Sequence, residues 1–221
     1  MNLRFGQLER YQSQFIDGLI GTLELTALCV TAGMLIGLLL SFLYRSKHPL
    51  VQKLIYAYVE FFRNTPSLIQ LFVVFFLLPD LGISFSPFVA ATIALSLYFG
   101  AYTTEIFRSG LDSIPKAQVE AGECLGLTKF QIYRNIVILP ALRNVYQSLT
   151  AQIIILLLGT SLASQVSADE LFHAATFVES RSYLSFEVYA VLCLIYFSLV
   201  LACKLIMYLV GKIAFRWPTG R

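Results

Sequence analysis

Ionisable side chains such as Glu24, Glu60, Arg63, Glu105 and Arg108 fall inside otherwise apolar stretches. Such groups are expensive in an apolar medium and mark places where chemistry or passage could occur. Glu60 and Arg63 stand three residues apart, as do Glu105 and Arg108. One helical turn lets each pair neutralise itself, so both read as structural ion pairs. Glu24 has only Ile20, Gly21, Ala27 and Leu28 at those spacings, which makes it a candidate for lining a polar cavity. Gln147, Gln152, Thr160, Ser161 and Gln165 add neutral hydrogen-bonding groups. Together with Glu24 they form a candidate polar path for a solute held weakly and released; hydrogen bonding between helices would use the same residues. Covalent chemistry has no such foothold. The two His and the scattered acids assemble no catalytic triad, and His173 has no second His or Cys nearby. Cys29, Cys124, Cys193 and Cys203 form no CxxC pair, so no metal or redox site is expected. No phosphate loop is present either, because Gly211-Lys212 is followed by Ile213. No catalytic residue, metal or cofactor is therefore assigned to the chain.

The elements that carry these residues belong in a bilayer. Of 221 residues, 57% are hydrophobic and 13% charged, and mean hydropathy is +0.74. A soluble domain carries about twice that share of charge. The net charge of +3 with dispersed Lys and Arg argues against a nucleic-acid partner. An apolar helix of about 20 residues crosses the hydrocarbon core, and five stretches qualify: about 18–43, 54–78, 87–107, 144–166 and 188–209. The second is broken by Pro66, and Lys204 in the fifth can snorkel towards an interface. Residues 1–17 are mixed and amphipathic, with no apolar signal-peptide core. The expected organisation is an external segment 1–17, an all-α transmembrane domain 18–212 and a tail 213–221.

Five spans put the termini on opposite sides. One side collects eleven basic residues: Arg45, Lys47, Lys53, Arg108, Lys116, Lys129, Arg134, Arg143, Lys212, Arg216 and Arg221. The other has three, Arg4, Arg10 and Arg181. The positive-inside rule then predicts an external N-terminus and a cytoplasmic C-terminus. The longest cytoplasmic loop, 108–143, is punctuated for rigidity. Ser113 is placed to cap a helix with Pro115 in its first turn, and Gly126 to end that helix in a left-handed residue. Thr128 and Gln131 have capping-box spacing, and Pro140 should end or kink the second helix. Two short helices around a glycine corner are expected.

Within this loop, Glu120-Ala121-Gly122, Gly126, Ile136 and Leu139-Pro140 resemble the EAA motif of ABC importer permeases. Flanking stretches extend the likeness: 58–66 (YVEFFRNTP), Gly100-Ala101-Tyr102, Glu105 to Arg108, Ile114-Pro115 and Thr160-Ser161-Leu162. They are similar to the histidine/glutamine-type, binding-protein-dependent permeases of polar amino acid importers, over about residues 17 to 212. Three departures stand out. Gly122 replaces the usual Ala, one extra residue separates Gly126 from Pro140, and Leu158-Gly159 stands where many relatives carry a charged pair. The resemblance implies a multi-pass subunit of the bacterial cytoplasmic (inner) membrane, working by alternating access. Its partners would be an ATP-binding subunit dimer, a second permease copy or related permease, an external solute-binding protein and a polar amino acid. ATP and Mg would sit on the partner ATPase. Glu120, Ala121, Gly122, Gly126 and Pro140 are the residues implied in ATPase coupling. A gated channel or structural membrane protein is the alternative, but neither has a stated need for a rigid loop.

Overall fold

The computed structural model describes residues 3–46 and 48–215. Lys47, Arg216 and Arg221, counted above for orientation, lie outside the described residues. Among the described residues every regular element is helical. A 3-10 turn, Phe5–Tyr11, leads directly into α1, Gln12–Leu43. The expected second span is instead a bent pair, α2 (Pro49–Asn64) and α3 (Ser67–Asp80), meeting at 108°. Pro66 causes the break. It disfavours helical backbone at the preceding residue, and Thr65 is extended with φ −116° and ψ 144°. Gln70 then staples the corner, its Nε2 donating to the Phe62 carbonyl at 2.9 Å and the Thr65 carbonyl at 3.0 Å.

The centre of the bundle is α4, Pro87–Asp112, which buries Ala90, Ala91, Ala94, Phe99 and Ala101. Small residues let α1 approach it closely. A Cβ on Gly33 would lie 2.6 Å from a Phe99 ring carbon, and one on Gly37 would lie 2.2 Å from Thr103 Oγ1. The Thr103 hydroxyl donates to the Gly33 carbonyl at 2.9 Å, so the Gly33/Gly37 pair is a helix-packing seam.

The remaining elements are α5 (Lys116–Cys124), α6 (Lys129–Val166), α7 (Leu171–Ser182) and α8 (Ser185–Ala214). Pro140 does not end α6; of the two outcomes expected of it, an end or a kink, only the first is ruled out. Residues Ile132–Ile138 are π-helical, and Pro140 sits in the first turn of the α-helical stretch that follows. There the wider i→i+5 register accommodates a residue that has no N–H to give. Helix α6 closes in a 3-10 segment, Thr160–Val166. Helix α8 is the least enclosed span, with 6% of its most apolar window buried. Four helices are long and apolar enough to cross a bilayer, and there are five if the bent pair counts as one span.

Candidate functional site

The segment 113–137 forms a rigid corner at the end of the bundle where α4 stops and α6 begins. Ser113 is not the cap expected of it. It closes α4, its hydroxyl donating to the Gly110 carbonyl at 2.7 Å and accepting from Asn144 Nδ2 at 2.9 Å. Pro115, with φ −61° and ψ 135°, supplies the extended residue from which α5 starts. At the other end Gly126 adopts φ +74°. Its N–H donates to the Glu123 carbonyl at 2.9 Å, and the Leu127 N–H reaches the Gly122 carbonyl at 3.1 Å. Those two bonds are the Schellman closure. Thr128 then opens α6 with a full capping box, Gln131 Oε1 accepting the Thr128 N–H at 2.8 Å.

The inner face of the corner is apolar. Leu111, Ile132, Val137 and Ala141 form a buried cluster, with Val119, Leu127 and Ile136 packed on it. Gly122 belongs to this inner face. A Cβ there would stand 2.7 Å from Ile136 Cδ1, which gives the departure from Ala a physical reason: α5 sits down on Ile136. The outer face carries Glu120 and Ala121, both exposed. Beside them, Leu125 is 79% and Phe130 71% exposed. Two large apolar side chains projecting from a clamped turn call for a covering surface. Below α5 is a cleft of about 440 Å³ lined by Arg45, Asp112, Lys116, Glu120, Glu123 and Tyr133, among others. Arg45 Nη2 and Asp112 Oδ1 pair across it at 2.7 Å, tying the α1–α2 connection to the end of α4.

Of the coupling residues expected from sequence, Glu120, Ala121 and Gly126 share this exposed corner. Gly122 faces inward, and Pro140 lies about 16 Å along α6 from its start at Lys129, taking 1.5 Å per residue. The intramembrane polar residues are not brought together. Gln152 and Thr160 are buried within the bundle, whereas Glu24, Gln147 and Gln165 are exposed on its outside and Ser161 is half-buried. The Thr160 hydroxyl is used internally on the Leu157 carbonyl at 2.7 Å. Gln152 Nε2 is buried without a hydrogen-bond partner among the described residues. Arg108 does bond Glu105. Glu60 and Arg63, however, do not pair. Glu60 Oε2 accepts from Asn64 Nδ2 at 2.7 Å, and the Arg63 guanidinium lies 5.5 Å from the Tyr102 ring centre. The ring draws the cation away from its neighbour on the same helix. No group of His, Cys, Asp or Glu that could hold a metal occurs among the described residues.

A second corner, at the opposite end, was not anticipated. After α6 the chain turns at Ser167, φ +60°, and enters α7 through Glu170. The Glu170 carboxylate accepts the Phe172 N–H at 2.8 Å and the His173 N–H at 2.7 Å, capping α7. It also accepts the Tyr196 hydroxyl of α8 at 3.0 Å. The Leu171 N–H donates to Thr22 Oγ1 of α1 at 3.0 Å. Burial pushes the Glu170 carboxyl up to about 7, against the lowering effect of these bonds. Glycines on α1 admit the corner: a Cβ on Gly21 would lie 2.2 Å from the Asp169 carbonyl oxygen. An acid preceding an apolar run was the available signal for this cap.

Comparison with known proteins places this architecture among relatives. Residues 30–217 match the family described as "Binding-protein-dependent transport system inner membrane component". A putative glutamine transport system permease protein of Rickettsia conorii is 32% identical over 198 residues, covering 89% of this chain and 91% of that protein. The L-cystine transport system permease protein of Bacillus subtilis is 36% identical over 165 residues, covering 75% and 70%. A crystal structure of an amino acid ABC transporter with histidines superposes with a TM-score of 0.88 at 31% identity, covering 96% of this chain and 99% of that one.

Proposed function

Since this chain belongs to the family of binding-protein-dependent transport system inner membrane components, we propose that it forms the translocation path of an importer for a polar amino acid. The chain is a membrane-spanning permease subunit of an ABC transporter; its family is not catalytic, and ATP hydrolysis belongs to a separate subunit. In the proposed assembly two permeases, either two copies or this chain with a related one, rest on two ATPases that hold ATP and Mg. An external binding protein delivers the solute. ATP binding draws the ATPases together, and each corner passes that motion to α4 and α6. The solute then moves between the permeases and leaves on resetting. The polar amino acid class is supported by the glutamine and cystine names of the relatives.

The observation carrying this reading is the corner itself. Leu125 and Phe130 are apolar knobs held by a Schellman turn and a capping box, beside the exposed carboxylate of Glu120. A stiff protrusion with an apolar tip and a flanking charge suits insertion into a cleft of a partner. The proposed orientation puts this corner and the C-terminus in the cytoplasm, supported by the eleven-to-three basic asymmetry. Labelling Ser113→Cys and Ser167→Cys in a background without the natural cysteines tests it. An impermeant reagent added outside should reach the second; labelling of the first would reverse the orientation. Co-purification of the ATPase with Glu120→Lys and Gly126→Val, alongside amino acid uptake, tests the coupling role. Both variants should reach the membrane and lose ATPase association or uptake. Normal uptake by both would reduce the corner to a surface helix. Gln152 is the buried position to substitute for substrate contact, with Gln152→Leu expected to lower uptake while the complex still assembles.

A further inference from the structure

We propose that the cavity between α6 and α8, at the coupling end of the bundle, holds the headgroup phosphate of an anionic phospholipid. The cavity measures about 650 Å³ and carries three cations, Arg143, Lys204 and Lys212, with no acidic residue in its lining. All three side chains are exposed, and none forms an ion pair among the described residues. The floor is a built contact. Tyr146 of α6 lies across Gly211 of α8, where a Cβ would come within 2.8 Å of its ring. Its hydroxyl donates to the Met207 carbonyl, and its ring packs edge-on to Phe215 with centroids 5.2 Å apart.

The depth of the cations selects the ligand. Lys204 and Lys212 are two turns apart on α8, so their attachment points differ by about 12 Å along the helix. Lys204 starts within the span and needs a counter-charge or an aqueous route, because an ammonium in hydrocarbon is costly. Arg143 enters at the same end as Lys212, since α6 and α8 run in opposite directions there. A phosphate at this level would meet two cations at the mouth and a third from below. Gln147 and Thr150 add two neutral polar groups to the α6 side, and the rest of the wall is largely apolar, with Ala151, Ile154 and Met207, as an acyl chain requires. A soluble anion would gain the cations and nothing from that wall. Basic pockets between membrane helices hold acidic headgroups for these reasons. The inference is independent of which amino acid is carried.

The test is native mass spectrometry of the purified permease–ATPase complex, delipidated and then titrated with phosphatidylglycerol or phosphatidylcholine. Wild type should retain phosphatidylglycerol at least tenfold more tightly. Arg143→Gln combined with Lys204→Gln and Lys212→Gln should abolish that preference, while Lys204→Arg with Lys212→Arg should keep it. If the triple variant fails to assemble, Lys204→Gln against Lys204→Arg decides, with preference lost in the first and kept in the second. Equal retention of both lipids by wild type overturns the proposal, as does unchanged preference in the glutamine variants. Full displacement by glycerol phosphate would make this a soluble-anion site. Efficient disulfide cross-linking of Tyr208→Cys between two copies would show that a second chain fills the groove. Either result overturns the lipid assignment. Failure of uptake with lipid preference intact would count against the transport reading alone.

Discussion

The two corners of this bundle turn the chain in the same way and treat water oppositely. Both use a left-handed residue, Gly126 at φ +74° and Ser167 at φ +60°. At the Gly126 corner nothing lies within 4 Å of a Cβ built on Gly126, and Leu125 and Phe130 project outward. At the opposite corner Ala168 is 1% exposed, and Glu170 and Leu171 are fully buried, locked to α1 and α8. The first is stiff within itself and open to a partner. The second is sealed against its own chain, so it must move with α1 and α8 as one body. The contrast teaches where each corner's stability resides: in local backbone bonds at one end, in tertiary contacts at the other.

Breaking the sealed corner should have the largest effect. Glu170→Ala leaves two helix N–H groups and the Tyr196 hydroxyl without their acceptor. Unmade buried hydrogen bonds cost about 1–3 kcal/mol each, so a loss of at least 3 kcal/mol is expected in thermal denaturation of the solubilised protein. A loss under 1 kcal/mol would mean that the knot is incidental. The same carboxyl gives the corner a pH dependence of defined sign. Its value of about 7 lies above the ordinary 4.5, so the folded chain holds the proton longer than the unfolded one. Stability should therefore be greatest below the unfolded value and fall as pH rises through the window from 4.5 to about 7. The fall should amount to about 3 kcal/mol. Glu170→Gln should flatten that slope; an unchanged slope would assign the titration elsewhere.

The open corner should respond in binding before stability. Leu125→Asp is expected to weaken ATPase association by about 2 kcal/mol, the scale of an interface anchor. Its melting temperature should stay near wild type, because the side chain is 79% exposed. If melting shifts while co-purification is normal, Leu125 packs in a way the exposed corner does not suggest. Gly126→Val should cost about 1–3 kcal/mol from its backbone conformation, visible as lost uptake together with modest destabilisation. The smallest effect is predicted for Gly122→Ala. The added methyl meets side-chain atoms only, Ile136 Cδ1 at 2.7 Å and Ile132 Cγ1 at 3.2 Å, and helix propensity favours Ala by up to about 1 kcal/mol. Near-neutral stability with altered uptake would show that the seat of α5 sets the coupling geometry.

Much of the molecule was legible in the chain because membranes and turns impose local rules. Twenty-residue apolar runs, Pro66, Gly126 and the Thr128–Gln131 spacing are local signals, so sequence alone determined the long apolar helices, the break and the corner. The coupling role proposed for Glu120, Ala121 and Gly126 came instead from the resemblance of this loop to a known motif. Which way a side chain faces was not legible. Gly122 turned inward on Ile136, Ser113 closed α4 rather than opening α5, and Arg63 chose the Tyr102 ring over Glu60. The α7 corner built on Glu170 also depended on neighbours distant in sequence. Those outcomes rest on packing between helices, where 3.6-residue periodicity offers several faces and only tertiary contact selects one. A hydrophobic pattern decides that a helix is buried; its neighbours decide which residues meet.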